Sequence, residues 1–593
     1  MHETQLLQLA SILVLGIGAQ WLAWHFRLPS ILLLLIAGFA AGPATGFLDP
    51  DHLFGDLLLP IVSCSVGIIL FEGGLTLRYS ELKEIGPVVR NLISIGALAT
   101  WLAGGIFAYL LLGLEFNISL LLGAILVVSG PTVVGPLLLH VRPNQRLSST
   151  LKWEGILIDP VGAVLAVLLF EIILKNLWDS AVSIVLLGVI QTIASGLLIG
   201  VLFSKSLHFL IQKYWIPDSL QNPISLMMVI AAFVASNMLH EESGLLAVTV
   251  MGIVLANQKS ISIRSIVHFK EDLRILLLSS LFIILVARLR WEYISAINAK
   301  TLLFVAALIF VVRPIAVFVS TIGSNFSIRE KAFLAWMAPR GIVAASVSSV
   351  FSLRLIQEGF PQAEQLIVVT FLVIVCTVLI YGFTARPAAR WLKAAEPGQD
   401  GFLFIGAHDW SRELAKRIYQ EGCHVLLVDT DRSNIKAARL EGLPTYHGNL
   451  FSDFLVLSGI GKVLALTSND EINAMACNHF SDVFDRSSVF QLKPRDPKLQ
   501  EENIAIHFHG RHLFGKHVTY PSIVHRIMGG FIIKKTKITQ EFSYDKFKKY
   551  YQENVIPFFV IDENKKIRIC DAEKDIIPQA GESIIALVPN VDK

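Results

Sequence analysis

A carboxylate in the middle of an apolar stretch is the group in this sequence most able to do chemistry, and Asp159 is one, set in LKWEGILIDPVGAVLAVLLF. An acid near the centre of a bilayer costs about 2.5 to 3.5 kcal/mol on insertion scales, so its presence implies a compensating role in pairing or in ion binding. Asp159 stands about ten residues beyond a basic loop, which is close to mid-membrane at ~1.5 Å per helical residue. Pro160 follows directly and Gly162 soon after, a combination expected to loosen the helix and free carbonyls toward a cavity. The plainer alternative is a structural aspartate bound to a neighbouring helix. Glu154, five residues earlier, also needs a partner. Arg313 in FVVRPIAVF and Arg340 in WMAPRGIVAASV both lie inside later apolar runs, and the sequence does not choose between them. Such a pair would hold helices together and set the field around Asp159, with direct ligation by Glu154 the lesser role.

Two apolar runs carry helix breakers beside these charges. One is VVSGPTVVGPLLL, with Gly130, Pro131, Gly135 and Pro136, and the other is WMAPRGIVAA, with Pro339 and Gly341. If two six-helix units are joined by a seventh span, these runs occupy corresponding places, the fifth and the twelfth. That is the sequence pointer to inverted repeats with two discontinuous helices crossing at the midplane. Unwound backbone there would offer carbonyl oxygens, and Ser129 or Thr132 a hydroxyl, to a hard monovalent cation near Asp159. Ordinary kinks are the competing reading, since glycine and proline are common in membrane helices.

The elements that must position these groups follow from composition. Of 593 residues, 54% are hydrophobic and 16% charged, and the net charge is only +3. This excludes an ordinary soluble protein and gives no basic stripe for nucleic acid. Five scattered cysteines, Cys64, Cys376, Cys423, Cys477 and Cys570, form no CxxC pair and read as packing residues. The start, MHETQ, has no basic region or cleavage pattern, so the first apolar run is expected to remain as a span. About thirteen apolar runs of spanning length occur before residue 393, centred near Leu15, Leu35, Ile68, Leu98, Ile125, Val164, Ile190, Ala231, Val250, Leu281, Ala307, Val343 and Ile374. Alternate loops separate by charge. One set holds Arg78, Lys83, Arg90, Arg142, Arg146, Lys152, Lys205, Lys213, Lys259, Arg264, Lys270, Arg329, Lys331, Arg386, Arg390 and Lys393, while the other is nearly bare except where Arg288, Arg290 and Lys300 fall. Retention of positive charge inside places the N-terminus outside and the C-terminal part in the cytoplasm.

Composition changes at AAEPGQD, after which no run is long enough to span. GFLFIGA, HVLLVDT, PTYHG, KVLALTS and VFQLK read as strands, with SRELAKRIYQEG and SNIKAARLEG as intervening helices, the alternation of a parallel α/β sheet over residues 398–515, extended by IAIHFHG. Residues 530–593 change to short strands, IPFFVID, KIRICD and SIIALVP, and read as a separate small α+β subdomain. GFLFIGAHDWSRELAKRI occupies the strand-turn-helix position of a dinucleotide fingerprint, with Asp429 about 23 residues after Gly406 to bond a ribose hydroxyl. The fingerprint is degraded, because His408 and Ser411 replace its second and third glycines. Close approach of a pyrophosphate is thereby disfavoured, which argues for AMP over NAD, or for a vestigial fold that binds nothing.

Taken together, these landmarks resemble the monovalent cation/proton antiporters, specifically the electroneutral NhaP-like (CPA1-type) branch with its animal sodium/proton exchanger relatives. The likeness covers most of residues 1 to 390, within a membrane domain read as residues 1–393, and is carried by ILLLLIAGFAAGP, LFEGGLTLR, SGPTVVGP, EGILIDP, RPIAVF and APRGIVAAS. It implies that Asp159 is the shared proton and cation site, supported by Glu154 and an arginine. The chain departs from the family at Ile158, where asparagine is usual, and at Ser129-Gly130-Pro131, where Thr-Asp-Pro is usual. A desolvated carboxylate is stable only when a proton or a cation neutralises it, one at a time, so a single acid implies one-for-one electroneutral exchange by alternating access. The cytoplasmic segment resembles the RCK or TrkA-type regulatory module of potassium transport proteins. By that resemblance Gly406, His408, Asp429, Asn449 and Thr467 line a nucleotide cleft, residues 530–593 are its C-terminal subdomain, and two copies pair as a homodimer. Expected substrates are Na+, K+ and H+. The expected place is a bacterial inner membrane in contact with lipid, with no obligatory cofactor and no enzymatic activity. Potassium/proton efflux specifically, and a ligand-gated cation channel, are the alternatives; the latter is disfavoured by the absence of a TVGYG-like filter.

Overall fold

The computed structural model describes the chain except residues 1, 27, 176–180, 259, 262, 290–297, 396–399, 451–456, 458, 482, 496–509, 516, 574, 575 and 591–593, together with the side chains of 2, 139, 140, 181, 182, 184, 264, 268 and 342. It divides into two compact units, Met1–Ala395 and Glu396–Lys593.

Unit 1 is helical throughout. Eight stretches are long and apolar enough to cross a membrane: Glu3–Phe26, Pro50–Leu75, Leu82–Leu112, Gln145–Lys175, Val185–Gln212, Asp218–Leu239, Ala299–Ser320 and Pro361–Trp391. Shorter apolar helices, Ser30–Ala44, Phe116–Ile125, Ser243–Ala256 and Val343–Gln357, and the more charged Arg264–Ala287 bring the passes among the described residues to thirteen. Each contains one of the centres read from the sequence. The helices that build the site are α1 (Leu58–Leu75), α2 (Phe116–Ile125), α3 (Pro131–Val141), α4 (Gln145–Lys175), α5 (Ser243–Ala256), α6 (Arg264–Ala287), α7 (Arg313–Ser320), α8 (Ile328–Trp336), α9 (Ile342–Gln357) and α10 (Glu364–Trp391). Burial separates centre from rim. In the most apolar window of α4, 78% of residues are buried, against 22% for Glu3–Phe26 and for Val185–Gln212, so α4 runs through the bundle and the other two form its outer face.

Both breaker runs interrupt their helices. The chain leaves α2 at Leu126 and re-enters helix at Pro131, where proline at the first helical position gives up an amide that has no intrahelical partner anyway. It leaves α8 at Met337 and re-enters at Ile342. The two unwound stretches cross at their glycines. A Cβ on Gly130 would stand 2.3 Å from the Gly341 Cα, and one on Gly341 equally close to the Gly130 Cα. The Gly130 amide donates to the Pro339 carbonyl at 3.2 Å. Where Pro160 and Gly162 were expected to loosen the helix, α4 is continuous through Pro160 over 31 residues. Proline there removes only the amide that would have bonded the Ile156 carbonyl.

Unit 2 begins with six parallel strands, β1 (Gly401–Ile405), β2 (Val425–Asp429), β3 (Thr445–His447), β4 (Ile460–Ala465), β5 (Val489–Gln491) and β6 (Arg511–His512), in the order β3-β2-β1-β4-β5-β6. That is the doubly wound order with its switch point between β1 and β4. The segment IAIHFHG lies outside the described residues but for its last glycine. Helices α11 (Asp409–Gln420), α12 (Asp470–Phe480), α13 (Tyr520–Met528) and α14 (Tyr544–Tyr550) are distributed along the unit. A second, antiparallel sheet joins β7 (Phe531–Lys537), β8 (Ile556–Ile561), β9 (Ile567–Ile569) and β10 (Ser583–Pro589) in the order β7-β10-β8-β9. The two sheets are separate, but Phe402, Phe404 and Trp410 share one core with Phe558, Phe559, Ile585 and Leu587. The C-terminal sheet is therefore packed into the same unit.

Candidate functional site

Asp159 is buried, 1% exposed, and its Oδ1 has no hydrogen-bond partner among the described residues. Its orientation follows from helix geometry, since Gly155 and Gly162 lie four residues before and three after it, on the same face. Both glycines abut the unwound end of α2. A Cβ on Gly162 would meet Val128 at 2.5 Å, and one on Gly155 would come within 3.7 Å of the Pro131 Cα and 3.9 Å of the Ser129 carbonyl oxygen. Asp159 thus faces residues 128–131 of the crossing. Ser129 and Thr132 are there, both 5% exposed, and the Thr132 hydroxyl is buried without a partner among the described residues. Ile158, beside Asp159 in the chain, packs in an apolar cluster with Ala97 and Val127.

The arginine ambiguity resolves by geometry. Arg313 forms a bidentate pair with Glu154, its Nη1 bonded to Oε1 and its Nη2 at 3.0 Å from Oε2. The same guanidinium donates to the Leu334 carbonyl at 3.1 and 3.2 Å and to the Met337 carbonyl at 3.0 Å. Those are buried acceptors at the broken end of α8, which a helix cannot satisfy internally. A π-turn, Leu308–Val312, directly precedes Arg313, and Pro314 follows it. Arg340 serves the other break, donating to the Val127 and Val128 carbonyls at 3.2 and 3.3 Å, while its own amide donates to Thr377 Oγ1 at 3.3 Å. Each interrupted helix ends in carbonyls neutralised by an arginine from elsewhere, and each restarts with its positive dipole end toward the crossing, at Pro131 and at Ile342.

One buried acid had no role assigned from sequence. Glu72 in LFEGGLTLR is 5% exposed and pairs with Arg274 of α6 at 3.6 Å. Its two following glycines seat α1 between neighbours: a Cβ on Gly73 would meet Ile156 of α4 at 3.2 Å, and one on Gly74 the Thr249 carbonyl of α5 at 2.6 Å. The signal that could have found it is the one used for Asp159, an acid inside a spanning run.

In unit 2, four of the five cleft residues converge on the carboxyl ends of β1, β2 and β4. Gly406 has φ +101°. Asp429 is engaged by the protein itself, its Oδ2 accepting from the Ala407 amide at 2.8 Å and Asn434 Nδ2 at 3.0 Å, and its Oδ1 from the Asp431 amide at 2.9 Å. Thr467 donates to Asn473 Oδ1 at 2.8 Å. Asn449 lies exposed beyond the end of β3. The His408 ring sits over Gly406, with Cε1 3.1 Å from where a Cβ would be. Burial lowers the His408 pKa from its ordinary value, Asp429 and Asp409 oppose that shift, and Arg412 adds to it.

A helical bundle with thirteen passes among the described residues, in which two interrupted helices cross beside a buried carboxylate with no partner for one oxygen there, is built as a secondary ion transporter. The chain belongs to the family described as sodium/hydrogen exchanger, transmembrane, which matches residues 9–391, and residues 402–494 match the TrkA-N domain. Among similar proteins are the Na(+)/H(+) antiporter 1 of Methanocaldococcus jannaschii, 28% identical over 58% of this chain and 83% of its own length, and the K(+)/H(+) antiporter NhaP of Alkalimonas amylolytica, 26% identical over 67% and 68%. The solved structure of the sodium proton antiporter MjNhaP1 from M. jannaschii at pH 8 superposes with a TM-score of 0.57 at 26% identity, covering 65% of this chain and 98% of that one. Those relatives are transporters, and this is a multi-pass membrane protein of their family with a TrkA-N region.

Proposed function

We propose that this protein exchanges a monovalent cation, Na+ or K+, for protons at Asp159 by alternating access, and that unit 2 regulates the exchange by sensing a nucleotide. The single observation that carries the first part is the pairing of an acid buried to 1% exposure, with a partnerless oxygen, to an unwound helix crossing. Such a carboxylate is neutralised by a proton or by a cation in turn, and Ser129, Thr132 and crossing carbonyls supply the hard oxygen ligands that an alkali cation favours. Glu154, tied to Arg313, is assigned to holding the helices and setting the field more than to ligation. The names of relatives support both cations, one being a sodium and one a potassium antiporter. AMP is the favoured regulator over NAD because His408 stands where a pyrophosphate would need glycine. The arrangement fits a homodimer in a bacterial inner membrane with its N-terminus outside.

The test is proton flux in proteoliposomes under sodium, potassium and lithium gradients, with and without AMP. Asp159→Asn should abolish exchange while leaving the detergent-solubilised protein monodisperse and its helical circular dichroism unchanged. Retained transport in that variant removes the site assignment, and flux indifferent to AMP removes the regulatory one.

A further inference from the structure

We propose that His408 is a pH-operated plug: the neutral imidazole seals the cleft of unit 2, and its protonation expels the ring and admits an adenine mononucleotide. This rests on the nucleotide-sensing reading of that cleft and specifies how it is gated. In a sheet of this order, ligands bind beyond the carboxyl ends of the strands at the β1/β4 switch point, with phosphate against the glycine turn. That space is filled by the chain itself. A Cβ on Gly406 would lie 3.1 Å from His408 Cε1, 3.3 Å from its Nδ1 and 3.4 Å from Thr467 Cγ2, so the ring sits in the slot between the two strand ends.

The ring is held there by packing. Its centroid is 5.0 Å from Trp410 and 5.1 Å from Tyr520, and Nε2 is buried without a partner among the described residues. A neutral imidazole tolerates this, because one nitrogen carries no hydrogen and the ring is largely apolar. An imidazolium has two N–H groups that both need acceptors, and a buried unpaired charge is strongly disfavoured. The ionic groups around the ring are already committed. Asp429, at the end of β2, accepts from Ala407, Asp431 and Asn434. On α11, Arg412 binds Asp409 at 2.6 Å, Glu441 at 3.1 Å and the Ala407 carbonyl at 2.9 Å. Tyr520 of α13 lies under Arg495, whose guanidinium is 5.9 Å from its ring. None is poised to receive a proton-bearing ring in place, so protonation drives the ring out, where its positive charge favours a phosphate at the mouth.

The sign follows from burial, which holds His408 below its ordinary protonation range: sealed and neutral near pH 8, open as the pH falls. The experiment is equilibrium binding of radiolabelled AMP to the full-length protein at pH 5.5 and pH 8. Wild type should bind roughly tenfold more tightly at the lower pH, the ratio set by an exposed histidine titrating near 6.5. His408→Gly, which empties the slot and shares AMP's own titration, should bind with no such gain, and His408→Gln, uncharged and bulky, should bind weakly at both pH values. The same pH dependence in wild type and His408→Gly overturns the plug. Absence of AMP binding to His408→Gly at either pH overturns the nucleotide reading beneath it.

Discussion

Glu154 and Arg313 are buried to 4% and 6% exposure, and each is the other's only charged partner among the described contacts. Two ions taken from water are repaid only by close geometry and by further hydrogen bonds, which the bidentate contact and the Leu334 and Met337 carbonyls supply. Removing one member leaves the other charged and unmatched, at a cost of about 3 to 5 kcal/mol. Arg313→Met should lose more than Glu154→Gln, since it also strands the carbonyls of the broken α8, and combining the two should cost less than their sum. Thermal unfolding in detergent checks this, and strict additivity would mean the pair is not a unit. The sequence exposed both residues, because charge inside an apolar run needs no alignment to be noticed. It could not choose between Arg313 and Arg340, since pairing depends on which faces of distant helices meet. Glu72 escaped because it sits near the end of its span, where an acid can also be read as reaching the interface.

At the scale of elements, the decisive feature is the crossing of two unwound segments at Gly130 and Gly341. Neither residue has positive φ, so backbone freedom is not what demands glycine. Space does: a Cβ on either would lie 2.3 Å from the opposite Cα, well inside van der Waals contact. Gly130→Ala should therefore force the segments apart, displace the carbonyls and Thr132 facing Asp159, and reduce exchange at least tenfold. Gly18→Ala, with nothing within 4 Å of the new methyl, should leave it unchanged. Initial rates of cation-driven proton flux give the answer, and full activity in Gly130→Ala would remove the crossing from the mechanism. The breaks themselves were legible from paired glycine and proline, although Gly135 and Pro136 sit inside α3 without interrupting it. The contact between glycines 211 positions apart was not, and neither was the continuity of α4 through Pro160, where tertiary packing overrides a strong local breaker. In unit 2 the parallel strands were legible from their apolar runs. β7, with lysines at 534, 535 and 537, was hidden because an exposed edge strand carries charge where an internal one carries valine.

Across the whole molecule, the balance of intramembrane charge fixes what a transport cycle can carry. In unit 1 three acids among the described residues are 5% exposed or less: Glu72, Glu154 and Asp159. Two are matched, Glu72 by Arg274 and Glu154 by Arg313, so neither is free to exchange its charge partner during each turnover. Arg340 is held by the Val127 and Val128 carbonyls and has no ion pair with an acid among the described residues. Asp159 alone has an oxygen left over. A site with one available carboxylate has the same net charge when it carries a proton as when it carries a monovalent cation, so the two half-cycles move equal charge in opposite directions. Exchange should then be electroneutral. A cycle that moved one net charge would gain about 2.3 kcal/mol per 100 mV of membrane potential, enough to change the ion ratio it sustains at equilibrium some fiftyfold. Proteoliposomes adsorbed on a solid-supported membrane should accordingly give no sustained current after a sodium or potassium step, while a pH-sensitive dye reports proton movement in the same preparation. A sustained current that vanishes in Asp159→Asn would show that a second titratable group takes part in the cycle, and Glu72, whose 3.6 Å ion pair is the looser of the two, would be the first to test.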